Sequence, residues 1–335
     1  MGIDLPLVWT VLIGFGLMMY VITDGFDLGI GILFPFVASR QDRDRMINTV
    51  APVWDGNETW LVFGGASLLA AFPTAYSLLL SELYLPLILM LLGLILRGVS
   101  FEFRFKADEV RKPFWDKAFA CGSFIATLSQ GVCLGAIVHG FSMRNAALTG
   151  GAFDFLSPFS LFTGLCLIVA YAMLGATWLV LKTEGSIQGQ MRRTARMLVW
   201  PLLGAMAIVS AWTPYSHPQI AQRWFSFPNI LFLSPVPVLV LLMSWGLVRS
   251  LWRGRQGTPF VLTLLLLFLG YAGLLISIWP NIIPPSLTIW DAAAPAQSMG
   301  FTLVGALFIV PFILAYSAWS YSVFRGKVDT AESYH

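Results

Sequence analysis

The sequence predicts an all-α integral membrane protein, a helical bundle of about nine transmembrane helices forming a single polytopic domain over 1–335, and three observations carry that prediction. Only 11% of the 335 residues are charged and 57% are apolar, where a water-soluble domain carries roughly a quarter charged. Six stretches, 118–143, 155–181, 197–222, 224–248, 256–290 and 292–324, contain no Asp, Glu, Lys or Arg. Each is longer than the ~20 apolar residues that cross ~30 Å of hydrocarbon. Finally, the basic residues alternate between successive connections, as they do when Lys and Arg collect on cytoplasmic loops.

The spans follow in order. The first is expected near 6–34. No basic n-region or small-residue cleavage site accompanies it, so it is expected to stay in the mature chain. Gly2 does not start a myristoylation motif, because Pro6 stands where that motif needs Ser or Thr. Spans two and three, near 59–80 and 83–101, are parted only by a short turn at Ser81-Glu82; merging them gives the alternative count of eight. The remaining spans lie near 119–140, 159–181, 197–213, 230–252, 259–278 and 298–321.

Arg40, Arg43 and Arg45 follow span one, and Arg104, Lys106, Arg111, Lys112 and Lys117 follow span three. Lys182, Arg192, Arg193 and Arg196 follow span five, Arg249, Arg253 and Arg255 surround the end of span seven, and Arg325 and Lys327 lie in the tail. Seventeen basic residues thus fall on alternate connections against two, Arg144 and Arg223, on the others, with Arg97 left over near the end of span three. This predicts an N-terminus on the outer side and a C-terminus on the cytoplasmic side. The net charge of +3 is accounted for by orientation signals and gives no indication of nucleic acid. The loops are too short for a soluble catalytic domain, so any chemistry belongs to the membrane or to a partner.

Cys121, Cys133 and Cys166 all fall inside charge-free runs and read as small buried apolar residues. Of the three histidines, His139 lies at the outer end of span four, His217 in an outer loop and His335 at the C-terminus. No His pair sits on facing spans near mid-membrane to ligate a haem iron. No metal-type cluster, phosphate loop or nucleophile triad occurs, so the chain alone is not equipped for catalysis. Gly25/Gly29 and Gly131/Gly135 are spaced for close helix packing, and Trp60, Trp115 and Trp252 fit an interfacial aromatic belt.

The informative residues are the ionisable ones at membrane depth, which are costly there and mark pathways or partners. Nineteen charge-free residues separate Asp4 from Asp24, which places Asp24 in the cytoplasmic half of span one. Asp27 shares its face at i+3. In Trp54-Asp55-Gly56-Asn57-Glu58, Asp55 suits a helix N-cap with Glu58 completing a capping-box-like arrangement. Asp55 also lies on the same side as Asp24, Asp27 and Arg97. Two or three carboxylates with one guanidinium are the parts of a paired cluster that conducts protons from the cytoplasm; solvated interfacial carboxylates and a snorkelling Arg97 are the plainer alternative.

The run Thr23-Asp24-Gly25-Phe26-Asp27-Leu28-Gly29-Ile30-Gly31 resembles the first-helix signature of subunit II of the cytochrome bd-type quinol oxidases. So do Asn48 with Ala51-Pro52-Val53-Trp54-Asp55-Gly56-Asn57, Arg97 with Phe101-Glu102-Phe103-Arg104, and Ser286-Leu287-Thr288-Ile289-Trp290-Asp291-Ala292, in family order. Glu102-Phe103-Arg104 and the short loops look like the cyanide-insensitive branch.

The resemblance implies one subunit of a heterodimeric terminal oxidase, an oxidoreductase complex that takes electrons from quinol and reduces dioxygen to water. It also implies the bacterial cytoplasmic (inner) membrane, so that the N-terminus is periplasmic. The larger subunit I would carry haem b558, haem b595 and haem d and the quinol-binding loop. The resemblance allows a structural quinone in this chain and a small accessory subunit beside it. Its acidic residues would help form a cytoplasmic proton-uptake path, with Asp24 and Asp55 as relay carboxylates, Asp27 next, Arg97 holding a neighbouring carboxylate ionised, and Trp54 shaping the entrance. Trp290-Asp291 would be an outer-surface or docking feature. Two alternatives stand beside this: a proton-coupled secondary transporter, which would need a midplane substrate site that the one-sided charges do not favour, and a purely structural partner of subunit I.

Overall fold

The computed structural model describes residues 2–141, 143–144, 147–148, 151 and 153–328; Met1 and His335 lie outside them, as does the side chain of Arg144. Helix α1 (Leu5–Leu33) starts where the Asp4 carboxylate accepts from the Leu7 amide at 3.1 Å, with Pro6 in the first turn. It ends in a 3-10 turn, Phe34–Phe36, around Pro35. A short polar helix, α2 (Arg40–Asn48), is capped by Ser39. There follow α3 (Trp54–Ala71), α4 (Pro73–Glu82), α5 (Tyr84–Lys106) and α6 (Lys112–His139). The two-residue strands β1 (Met143–Arg144) and β2 (Ala147–Leu148) pair antiparallel ahead of α7 (Pro158–Lys182), which opens on a Ser157/Ser160 capping box. Next come α8 (Gly185–Ser216), α9 (Pro218–Phe225), α10 (Asn229–Leu233), α11 (Pro235–Trp252) and α12 (Thr258–Ile278). A small antiparallel pair, β3 (Asn281–Ile283) and β4 (Leu287–Thr288), precedes α13 (Ala296–Val323).

Among the described residues, eight segments are long and apolar enough to cross a membrane: α1 with its 3-10 turn, α5, α6, α7, α8, α10 with α11, α12, and α13. The span expected at 59–80 is not one of them. It is divided into α3 and α4 at Phe72, because Pro73 supplies no amide and biases the preceding residue away from helix. Moreover α3 begins earlier than expected, at Trp54, so Asp55 and Glu58 fall inside it. Likewise α8 begins at Gly185, well before the apolar run at 197, since its first turns are polar yet helical.

Polar contacts define two ends. At one, Ser186 donates to Asp42, Arg43 pairs with Asp116, the Lys182 ammonium donates to the Phe324 carbonyl and Arg196 to the Leu251 carbonyl. At the other, Trp290 Nε1 donates to Asp4, the ring of His217 meets the His139 carbonyl, and the Ala294 amide donates to Ala71 O. The lysine- and arginine-rich connections gather at the first end, and α3 runs between the two, from Trp54 to Ala71.

Helices α6 and α7 are the most buried of the eight, while α8, α11, α12 and α13 turn mainly apolar surface outward. Lipid tails are as apolar as Leu, so the centre is held by close backbone packing over small residues. Gly29 of α1 meets Gly175 of α7 so tightly that a Cβ on Gly29 would lie 1.8 Å from Tyr171 O. A Cβ on Gly122 of α6 would lie 2.6 Å from Gly93 O and 2.8 Å from Arg97 N, both on α5.

Two expectations about side chains are corrected. Trp60 is not at an interface: it is fully buried, edge-on to Phe15 and packed with Tyr20 and Val310. Cys121 is exposed on the surface of the chain, Cys166 is half-buried and only Cys133 is buried.

Candidate functional site

Asp24 and Asp27, one turn apart on α1, are both 0% exposed. The solvated-interface alternative therefore fails for both. Arg97 of α5 is also 0% exposed and does not snorkel; its Nη1 donates to Asp24 Oδ1 at 2.6 Å, and its Nη2 to Glu58 Oε1 of α3. One guanidinium thus joins three helices through two carboxylates. Taking a lone charge out of water is prohibitive, so each member depends on the others.

Asp27 is held separately. Asn57 Nδ2 donates to Asp27 Oδ2 at 2.8 Å and to the Thr23 carbonyl at 3.2 Å, while its Oδ1 accepts from the Tyr321 hydroxyl of α13 at 2.8 Å. The amide uses both its N–H donors and bonds through its oxygen as well, and it engages Asp27 at Oδ2. A recess of about 10 Å³ beside Asn57, lined also by Ser317, Ser320 and Tyr321, approaches this pair from α13.

Trp54 stacks on Phe101 with ring centroids 5.2 Å apart and lies against Gly98, one residue beyond Arg97. It therefore packs on α5 beside the residue that carries the guanidinium. Asp55 is exposed in the first turn of α3 and is not the N-cap; Val53 occupies that position without a side-chain hydrogen bond. The expected capping box is absent because Glu58 reaches Arg97 instead. Asp55 stays one helical turn from Glu58 on the same face.

Deeper along α1, Tyr20 lies one turn from Asp24. Its hydroxyl accepts from Gln130 Nε2 of α6 at 2.6 Å, and the Tyr171 hydroxyl of α7 donates to Gln130 Oε1 at 3.1 Å. Glu58, Asn57, Tyr321, Tyr20, Gln130 and Tyr171 were not among the residues the sequence singled out for the site. The signal was present for Gln130, an amide in the middle of a charge-free run, which at membrane depth needs a partner.

A second charged cluster locks the basic end. Arg104 binds Asp116 at 2.6 Å and Asp44 at 2.7 Å, and Arg43 binds Asp116 at 2.9 Å, joining α2, α5 and α6 around an open cavity of about 160 Å³. Outside the spans, Glu109 is held below the usual carboxylate range by its hydrogen bond and charge pairing with Lys112, and further by Arg40. Trp290 and Asp291 lie at the opposite end, where Trp290 reaches the Asp4 cap and Asp291 accepts from Thr288.

His139 and His217, the histidines among the described residues, are not arranged as an axial pair for a haem. An axial pair would face ring nitrogens across an iron, whereas the His139 and His217 rings meet edge to face at 5.8 Å with His217 Nε2 turned to the His139 carbonyl. Among the described residues no group of three His, Cys, Asp or Glu is placed to hold a metal ion.

The model of the family "Cytochrome bd terminal oxidase subunit II" matches residues 5–324. The chain is 30% identical to the "Cytochrome bd-I ubiquinol oxidase subunit 2" of Escherichia coli K12, over 97% of this chain and 95% of that one. It is 27% identical to the "Cytochrome bd ubiquinol oxidase subunit 2" of Bacillus subtilis, over 97% of each. Its fold is similar to that of a chain of the bd oxidase from Geobacillus thermodenitrificans, with a TM-score of 0.77 at 21% identity over 94% of this chain and 98% of that chain.

Proposed function

The chain belongs to the cytochrome bd terminal oxidase subunit II family, and from that premise we propose that it supplies the oxidase with a proton-uptake path leading in from the cytoplasmic side through Asp24 and its buried partners. It is a subunit of a respiratory oxidoreductase complex and a multi-pass protein of the bacterial cytoplasmic membrane. Family membership brings haem cofactors and quinol to that complex and subunit I as partner. It also displaces the transporter alternative.

The observation that carries the proposal is the Asp24–Arg97–Glu58 cluster, fully buried at Asp24 and Arg97 and lying towards the end where the basic connections gather. The orientation that follows has nine crossings with α3 counted among them, the N-terminus periplasmic and the C-terminus cytoplasmic. Haem b558, haem b595 and haem d would be held by subunit I and would supply the electron transfer from quinol to dioxygen. This chain's own residues handle protons. Asp55 collects them at the surface, Glu58 stands one turn further in, and Trp54 limits access between them. Asp27 and Asp24 then hold the proton within the bundle. Arg97 places one fixed positive charge between the Asp24 and Glu58 carboxylates.

A purely structural role is the competing account, and the same Asp24–Arg97 pair favours it, since buried pairs also fix helix register. Substituting Asp24→Asn and Asp55→Asn separately in the intact complex separates the two. The uptake path predicts slower quinol-driven oxygen consumption with haem absorption retained. Loss of the haem spectrum together with activity, or full activity in both variants, would overturn it.

A further inference from the structure

We propose that the seam between α8 and α11 at the basic end binds the phosphate headgroup of an anionic phospholipid from the leaflet on that side, a role separate from the uptake path. Six arginines gather there: Arg192, Arg193 and Arg196 on α8, and Arg249, Arg253 and Arg255 at the end of α11 and in the turn beyond it. Specific contacts bring the two groups together. Arg196 donates through Nε and Nη2 to the Leu251 carbonyl, at 3.2 and 3.0 Å, and its guanidinium lies 5.5 Å over the Trp252 ring. Trp200 of α8 meets Trp252 edge to face, with ring centroids 6.4 Å apart. Arg192 packs on Gly254, where a Cβ would lie 3.2 Å from its Nη1; the φ of 71° there is one that glycine adopts freely as it ends the helix.

Among the described residues none of these six arginines pairs with Asp or Glu. Elsewhere at the same end the arginines are neutralised: Arg40, Arg43, Arg45 and Arg104 each bind a carboxylate. Orientation in the membrane calls for basic residues on this side, but not for a set kept apart from every carboxylate. The guanidinium of Arg249 has no hydrogen bond among the described residues and lies 5.2 Å over the Trp245 ring. Arg192 Nε is buried with no partner. The seam therefore holds unspent positive charge and free N–H donors.

Depth identifies the occupant. Arg196 is the last charged residue before the charge-free stretch 197–222 and Arg249 the first after 224–248, so both guanidiniums stand where hydrocarbon gives way to headgroups. Trp200 and Trp245, both exposed, each lie one helical turn further in, and beyond them α11 turns Val238, Leu241 and Leu242 outward. Guanidinium forks take phosphate oxygens through paired N–H···O bonds and repel cations. Free phosphate would meet the charge and leave the apolar face uncovered; an acidic protein segment in water would not reach it. A phospholipid does both, with its phosphate on Arg196 and Arg249 and its acyl chains along α11.

The test uses the oxidase complex with its partner subunit in detergent, titrated with phosphatidylglycerol or phosphatidylcholine while native mass spectrometry counts bound lipid. Arg196→Gln with Arg249→Gln removes the two guanidiniums at the boundary. Arg40→Gln with Arg111→Gln removes the same charge from arginines of the same end that face Glu109 and Asp108, and is the control. Parent and control are expected to bind phosphatidylglycerol about tenfold or more tighter than phosphatidylcholine, and the Arg196/Arg249 variant to bind the two alike. Independently, a map of the parent complex in phosphatidylglycerol nanodiscs should show a lipid phosphate in hydrogen-bonding range of Arg196 and Arg249, whether or not the variant assembles. A seam without lipid phosphate in that map, or with a protein segment seated on the arginines, overturns the proposal whatever the variants do. So does a parent with no preference, a variant that keeps it, or a control that loses it.

Discussion

Arg97 on α5 and Asp24 on α1 meet at 2.6 Å with neither side chain exposed, and the approach of α5 to α6 over Gly93 and Gly122 is what brings the guanidinium to that depth. The pair is therefore a product of packing as much as of charge. Removing one member strands the other in low dielectric, which costs about 3–5 kcal/mol. Arg97→Met is expected to lower recovery of the assembled complex, judged by haem absorption per milligram of membrane protein. Arg97→Lys keeps the charge but loses the fork that reaches Asp24 and Glu58 together. It is expected to retain haem and lose oxygen uptake.

The Asn57 bridge predicts a graded response. Tyr321→Phe deletes one donor to the Asn57 amide and is expected to cost about 1 kcal/mol, seen as a small fall in the melting temperature of the detergent-solubilised complex. Asn57→Leu strips the Asp27 carboxylate of the one direct side-chain donor it has among the described residues and is expected to cost about 2–3 kcal/mol. The order of the two variants is the point checked. Equal effects would mean that Tyr321 acts on Asp27 by another route.

Gly29→Ala is expected to destabilise out of proportion to its size. The added carbon would collide with the Tyr171 carbonyl, a backbone atom with nowhere to go, so α1 and α7 must separate. Overpacking of this kind costs about 1–3 kcal/mol or more. Thermal melting of the complex checks it against Gly65→Ala, where nothing lies within 4 Å of the new carbon and no loss is expected.

Glu109 gives a pH dependence of known sign. Lys112 and Arg40 depress its folded-state pKa, so its stabilising contribution is present above the unfolded value and is lost as pH falls through the depressed one. The group is fully exposed, so the effect is small and screened by salt. Melting temperatures of parent and Glu109→Gln should differ at neutral pH in low salt and converge under acid conditions. A difference that persists in acid would show another cause.

How far the sequence reached follows from what each signal measures. Charge-free runs and alternating basic loops report the membrane directly, and they placed the helical bundle. They could not divide α3 from α4, because a window of hydropathy averages across the break that Pro73 makes at Phe72. For Asp24, Asp27 and Arg97 the cost of burying charge pointed to a shared cluster, and the structure brings Arg97 onto Asp24. Glu58 was misplaced, since an acid three residues after a candidate cap suits a capping box as well as a distant arginine. Local spacing cannot choose between them. Trp60 shows the same limit: the amphipathic ring that suits an interface is, on this helix, turned inward onto Phe15 and Tyr20.

The most direct test of the central claim follows proton uptake itself. The fully reduced complex is mixed with oxygen beside a pH-sensitive dye, and uptake is timed against haem oxidation in the parent, Asp24→Asn and Asp27→Asn. The uptake path predicts that both variants bind oxygen and begin haem oxidation at the parental rate while proton uptake is delayed about tenfold or more. Proton uptake at the parental rate in both variants, with haem content unchanged, would contradict it and leave the buried cluster a structural fastening.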